Sequence, residues 1–188
     1  KKIMKGRYPF SYEIASLYGG MGNTRGMISE YLDLIEFNAA YLQTVQNALA
    51  RSIDFENNPA DVDILRTELL TRIQKDASST IYSELLTWLF LQQRDFNSAF
   101  IQLRALDKRL NEDGDRILNL ANLCISNEEY GVAEKCFRYL IEKGPQNKFY
   151  TYARAGVLDT KYEELSRSYP PDTAAMRNLR DQYSTTIS

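Results

Sequence analysis

Histidine is absent from all 188 residues. Its absence removes the usual general base near neutral pH, the Ser-His-Asp and Cys-His arrangements of nucleophilic hydrolases, and most zinc sites. Cysteine is nearly as scarce: Cys124 and Cys136, with eleven intervening residues, are the only 2, and without other soft ligands they fall short of a metal set. A disulfide between them and two separately buried thiols both fit the sequence, and neither fixes a compartment. Long apolar runs are missing too. No stretch approaches the roughly 18 apolar residues of a membrane-spanning helix, and the first residues carry no signal-peptide run. Direct membrane insertion is therefore not expected. A chain that opens on Lys1 rather than Met reads as a piece of a larger parent, soluble, and either cytoplasmic or exported with that parent; its oligomeric state is left open.

Charge of one sign is also lacking. The 23 basic and 25 acidic side chains are interspersed and sum to -2, so no positive stripe awaits a phosphate backbone and nucleic acid is not an expected partner. Only the run Lys1-Lys2-Ile3-Met4-Lys5-Gly6-Arg7 is basic enough to touch nucleic acid or lipid headgroups. Tryptophan occurs once, as Trp88, against 13 Tyr. With 44% hydrophobic residues the chain can bury a sizeable core, which excludes disorder.

What the chain does have is a repeat. Leu86, Thr87, Phe90, Phe96, Ala99, Leu103 and Leu106 are echoed by Leu120, Ala121, Cys124, Tyr130, Ala133, Phe137 and Leu140, each 34 residues on. Each row reads as two short helices, and a fixed period of this length means stacked helical hairpins. The spacing predicts an all-α solenoid, one domain over residues 1–188, of about five antiparallel hairpins near 9–38, 41–76, 79–110, 115–143 and 147–187.

Turn and cap residues set the boundaries. The first hairpin starts at Pro9, carries Ile14, Ala15 and Tyr18 inward, turns at Gly19-Gly20-Met21-Gly22-Asn23 and returns through Met27, Tyr31 and Leu34. The second runs through Leu42, Val45, Leu49 and Ile53, breaks at Asn57-Asn58-Pro59 with Asn58 as cap and Pro59 as first helical residue, and resumes through Val62, Leu65, Leu69, Leu70 and Ile73. Its longer turn explains why the third hairpin lies 72 residues after the first, two periods and four residues. The third turns at Arg94-Asp95; the fourth turns at Asn127-Glu128-Glu129 and stops at Gly144-Pro145. The fifth has helical stretches near Asn147 to Leu158 and Tyr162 to Arg167, a break at Tyr169-Pro170-Pro171, and a last helix capped by Asp172 with Ala175, Leu179 and Tyr183 inward.

These residues resemble the tetratricopeptide repeat. The fourth hairpin keeps its pattern best, with Ile117, Leu120, Ala121, Cys124, Tyr130, Ala133, Phe137 and Pro145 at the corresponding places; Ala121 and Ala133 keep the helix crossing close. The third keeps Leu86, Phe90, Phe96 and Ala99 but has Thr87 at the small site and no closing proline. The first keeps Ala15, Tyr18, Gly22 and Tyr31 but has Met27 in place of the second alanine. The resemblance implies a curved superhelix whose first helices line a concave groove for an extended peptide or partner helix, hence a scaffold for protein partners rather than a catalyst.

Groove positions follow from the register. In the third hairpin they are Ile81, Glu84, Leu85, Trp88, Leu91 and Gln92, with Trp88 either a flat anchor for a ligand or packed on a neighbouring hairpin. In the fourth they are Asp115, Leu118, Asn119, Asn122, Ile125 and Ser126; the Asn119 and Asn122 carboxamides can pair with a peptide backbone or remain solvated surface. Tyr12 and Ser16 of the first hairpin and Tyr152 of the fifth complete the candidate partner-binding set. One mode in the family grips a terminal carboxylate with Lys, Asn and Arg. The corresponding sites here hold Tyr12, Ser16, Glu84, Trp88, Leu118 and Asn122, and an acidic Glu84 would repel such an end.

No catalytic, cofactor or metal residue is expected. Glu128-Glu129 and Glu163-Glu164 are adjacent pairs whose side chains diverge by about 100 degrees on a helix, as solvated faces do. A hydrolase or transferase built on Glu and Tyr is the rival class, and a spacer or regulatory arm of a larger protein is the rival role. Gly19-Gly20-Met21-Gly22 lacks the strand before it and the Lys-Ser or Lys-Thr after it that a phosphate loop needs. Asp107-Lys108-Arg109 reads as a charged helix end.

Overall fold

The computed structural model describes residues 10–76, 78–167, 169 and 172–187. The N-terminal basic run, Pro9 and Pro170-Pro171 lie outside the described residues. Every regular element among those described is helical, ten α-helices and one short 3-10 turn at Ala39–Tyr41. The chain divides into two compact units, up to Asp95 and from Phe96. The division falls in the turn between the two helices of the third sequence-predicted hairpin.

The first unit contains α1 (Ser11–Gly20), α2 (Thr24–Phe37), α3 (Leu42–Ser52), α4 (Pro59–Lys75) and α5 (Ile81–Gln92). Asn23 caps α2 by accepting from the Gly26 N–H at 2.9 Å. Asn58 caps α4 by accepting from the Asp61 N–H at 3.3 Å, and Pro59 takes the first helical position, where its missing N–H costs nothing. Ala15, Ile28, Tyr31, Leu32, Val45, Leu49, Leu65, Leu69 and Leu86 bury together as one core.

α1 and α2 pack along their length. The crossing tolerates Met27, the large residue in place of the pattern's alanine, because Gly19 faces it; a Cβ on Gly19 would meet the Met27 sulfur at 3.0 Å. α3 and α4 depart from the expected hairpin. Their backbones lie chiefly against α2 and α5, and very little against each other. The connector explains this: Asp54 accepts from the N–H groups of Glu56 and Asn57, turning the chain, while Ile53 buries in the core beside a half-buried Phe55. Two further expectations change. Leu70 is exposed, and Leu85, read as a groove residue, is fully buried on α5.

The second unit contains α6 (Phe96–Leu110), α7 (Asp115–Ser126), α8 (Tyr130–Glu142), α9 (Tyr150–Ser166) and α10 (Thr173–Ile187). The pairs α6 with α7, α7 with α8, α8 with α9 and α9 with α10 pack in sequence, with a further contact of α6 on α8. α9 is one uninterrupted helix of 17 residues where two stretches were expected. Asp172 caps α10, accepting from Ala174 and Ala175 at 3.0 and 2.8 Å. Leu179 is buried and Tyr183 half-buried, as the pattern requires.

The repeat is visible in the backbone itself. Gly22, Arg94 and Glu128 adopt left-handed φ of 70, 56 and 63°. After each, an N–H reaches back five residues, Asn23 to the Tyr18 carbonyl at 2.9 Å, Asp95 to Phe90 at 2.8 Å and Glu129 to Cys124 at 2.8 Å. The left-handed residues themselves bond the carbonyls of Gly19, Leu91 and Ile125. This pairing closes a helix and turns the chain out of it. The side chains agree. Of the two echoed rows, Phe90 and Tyr130 are half-buried and every other member is buried.

Ala121 and Ala133 are both fully buried where α7 and α8 pack, so Ala133→Leu should lose about 1–3 kcal/mol by overpacking, read in a denaturant melt; a loss below about 0.5 kcal/mol would refute this crossing. α9 approaches α8 even more tightly. A Cβ on Gly156 would meet three atoms of the buried Phe137 ring at 2.6, 2.7 and 2.9 Å, while one on Gly131 meets nothing within 4 Å. Gly156→Ala should therefore destabilise by about 1–3 kcal/mol, whereas Gly131→Ala should stabilise by up to about 1 kcal/mol.

Candidate functional site

The sequence-predicted site residues divide between the units. Tyr12, Ser16, Glu84 and Trp88 belong to the first, and Asn119, Asn122 and Tyr152 to the second.

Tyr12 and Ser16, one turn apart on α1, border a pocket of about 460 Å³ with Tyr31 of α2 and with Arg51 and Ser52 at the end of α3. Small residues, Gly19, Gly20 and Ala48, complete much of its lining and leave it open. The Tyr12 and Tyr31 rings lie 5.7 Å apart at 56°, and the Ser16 hydroxyl donates to the Tyr12 carbonyl at 2.9 Å. Burial pushes the Tyr31 phenol above its ordinary range, against a smaller opposing effect of Ser16, so it remains a proton donor throughout the neutral range.

Trp88 is half-buried, with its ring edge-to-face against Phe55 at 5.5 Å and 89°. Phe55 lies in the connector between α3 and α4, so the indole is engaged within its own unit. Glu84, also half-buried, stands one turn earlier on α5.

In the second unit the structure brings Asn122 and Tyr152 together. The Tyr152 hydroxyl lies 3.5 Å from Asn122 Oδ1, the ring sits 6.2 Å from that of Phe137, and the side chain is 53% exposed. Asn119 precedes Asn122 by three residues on α7 and is exposed as well. This surface offers two carboxamides and a phenol held against a packed ring, groups that can donate and accept toward a peptide backbone.

Two polar clusters went unrecognised in the sequence. Arg72 of α4 donates to Asp33 at 2.6 Å, to Glu36 at 3.0 Å and to the Ser29 carbonyl at 3.2 Å, all on α2, while Tyr82 of α5 donates to Glu36 at 2.7 Å. Burial alone would lower the guanidinium's pKa; hydrogen bonds to Tyr82 and Asp33 outweigh it and hold the group above its ordinary value. The Tyr82 phenol is pushed up to about 12, chiefly by burial. The second cluster corrects the reading of Asp107 as a charged helix end. Its side chain is fully buried, 2.6 Å from Lys143 Nζ and accepting from the Tyr139 hydroxyl at 2.7 Å. Burial, then the neighbouring Asp107, raise the Tyr139 phenol. Spacing gave no signal for either cluster, because the carboxylates lie 32 to 46 residues from the phenols and 36 to 39 from the cations that hold them.

The remaining chemistry-bearing candidates are accounted for structurally. Glu128 and Glu163 both face Arg167 in ion pairs, Glu163 at 4.0 Å. Gly19 and Gly20 end α1, and Gly22 forms the left-handed turn after it. Among the described residues no group of three or more His, Cys, Asp or Glu side chains is placed to hold a metal ion, and no helix is long and apolar enough to cross a membrane. No family model and no curated protein matches the chain. The sequential helix-on-helix packing is consistent with an all-α helical repeat in general and assigns no particular repeat family.

Both cysteines are free and buried, Cys124 on α7 and Cys136 on α8. Burial pushes the Cys124 thiol up to about 12 and raises Cys136 as well. A thiol at that pKa is thiolate in only about one part in ten thousand at pH 8. Iodoacetamide at pH 8 should therefore leave the folded chain unmodified and label both positions once guanidinium unfolds it, as counted by intact mass. Rapid labelling of either thiol in the folded chain would contradict this packing.

Proposed function

We propose that this chain is a non-catalytic protein-interaction scaffold that binds an extended segment of a partner protein. The observation that carries the reading is the surface on α7 and α9. Asn119, Asn122 and Tyr152 stand exposed on helices whose opposite faces are committed to the core through Leu120, Ala121, Ala153 and Val157. Backbone-directed carboxamides beside a supported aromatic ring match what an extended peptide requires, since its amides need both donors and acceptors. Helical repeats use rigid surfaces of this kind for binding rather than chemistry. Tyr12, Ser16, Glu84 and Trp88 of the first unit remain part of the proposed partner-binding set beside Asn119, Asn122 and Tyr152 of the second.

One observation favours the rival role of a spacer or regulatory arm. Trp88, the largest candidate anchor, is packed edge-on against Phe55 and offers only part of its surface. A random peptide library displayed against the chain separates the roles. Binding peptides should emerge, and Asn122→Ala combined with Tyr152→Ala should weaken them at least tenfold, because central aromatic anchors contribute about 2 kcal/mol or more. Trp88→Ala should weaken them less. A library that yields no saturable binder would favour the spacer, and equal binding by the double variant would displace the surface.

A further inference from the structure

We propose that the pocket between α1, α2 and the end of α3 is a receptor for one acidic side chain, Asp or Glu, of the partner segment, with Arg51 as its counter-charge; this rests on the peptide-binding reading above.

Arg51 is the starting point. Arg51 is exposed and has no carboxylate within 4.0 Å among the described residues, which is equally true of Arg104, Arg154 and Arg177; Arg104 and Arg154 lie over aromatic rings, and of the four only Arg51 borders this pocket. It borders the pocket together with four hydroxyl groups, those of Tyr12, Ser16, Tyr31 and Ser52. The Ser16 proton is already given to the Tyr12 carbonyl, which leaves the two phenols and Ser52 to donate. An uncommitted guanidinium and three hydroxyl donors call for a ligand rich in acceptors and carrying negative charge.

The number of charges chooses among anions. One arginine balances a carboxylate, while a phosphate monoester near neutral pH carries close to two charges and would leave one unbalanced. The size and walls choose the setting. About 460 Å³ exceeds the space of a lone ion and accommodates a side chain with its flanking backbone, and the glycines and Ala48 let that backbone approach. Tyr12 and Ser16 of this pocket fall at first-hairpin sites of the family's terminal-carboxylate grip, but the one cation here, Arg51, stands on α3 and not on a first-hairpin helix, and an internal acidic side chain is the assigned source.

Acetyl-glutamate methylamide, titrated into the full chain at low salt and followed by NMR, tests the assignment. Saturable shifts should appear at the Arg51 Nε–Hε signal and the Tyr12 and Tyr31 rings. Acetyl-glutamine methylamide should give none, and Arg51→Gln should weaken the acid's binding at least tenfold. Tyr31→Phe should weaken it less while leaving the fold's spectrum intact. Acetylglycine distinguishes the two carboxylate sources: binding as tight as the glutamate probe's would overturn the assignment to a side chain. Equal shifts with the glutamine probe, no saturable shift with either, or undiminished binding by Arg51→Gln would each overturn the pocket's role. Library peptides that still bind the Arg51→Gln variant with unchanged affinity would sink this inference and leave the scaffold reading standing. A library without binders would sink the scaffold reading first.

Discussion

A left-handed residue closing the first helix of a hairpin sets the spacing that the rest of the chain obeys. Glycine meets that demand at Gly22, but Arg94 and Glu128 meet it with side chains that strain the conformation by about 1–2 kcal/mol each. The strain persists because every such turn recovers two backbone hydrogen bonds and directs Tyr18, Phe90 or Cys124 toward its unit's interior. With the turns fixed, the faces of the helices follow, and with the faces fixed, so do the small residues where helices cross. Gly156 against Phe137 is the extreme case, a helix brought so near its neighbour that not even a methyl group fits.

Polar groups then link helices that are not adjacent in sequence. Arg72 ties α4 to α2 and shares Glu36 with Tyr82 of α5, and Lys143 ties the end of α8 to Asp107 on α6. Apolar packing tolerates small slippage, whereas a buried carboxylate displaced from its ammonium and phenol partners would bear the full desolvation penalty. These clusters fix a helix's axial position where the apolar stripe alone fixes only its rotation. Arg51 takes part in neither cluster and differs from the other arginines without a carboxylate partner in bordering a hydroxyl-lined pocket.

Much of the helical framework was legible in the sequence because it is encoded locally. Asn58-Pro59 announces α4, Asp172 announces α10, and the offset from Leu86 to Leu120 sets the turn at Glu128 from the turn at Arg94. Packing between α3 and α4 was misjudged because a hairpin was inferred from period alone, while the Asp54 turn and the burial of Ile53 send both helices toward α2 and α5. Asp107 was misjudged because local context, a run of charges near a helix end, says nothing about Tyr139 and Lys143 more than thirty residues later. The candidate surface was legible in part. Asn122 and Tyr152 were each named from the register, but their approach to 3.5 Å needed the fold, as did the placing of Arg51, on an unremarked face of α3, beside Tyr12 and Tyr31.

Short-range packing also bears on how the chain reaches its structure. α1 finds α2 across a three-residue turn, α7 finds α8 across another, and the longest polar link described, Tyr82 to Glu36, closes 46 residues. Contacts that close short loops lose little chain entropy before they are rewarded, which favours rapid folding from several starting points over a search for distant strands. A segment emerging from synthesis can therefore bury its own stripe within a helix or two of its appearance, before the rest of the chain exists.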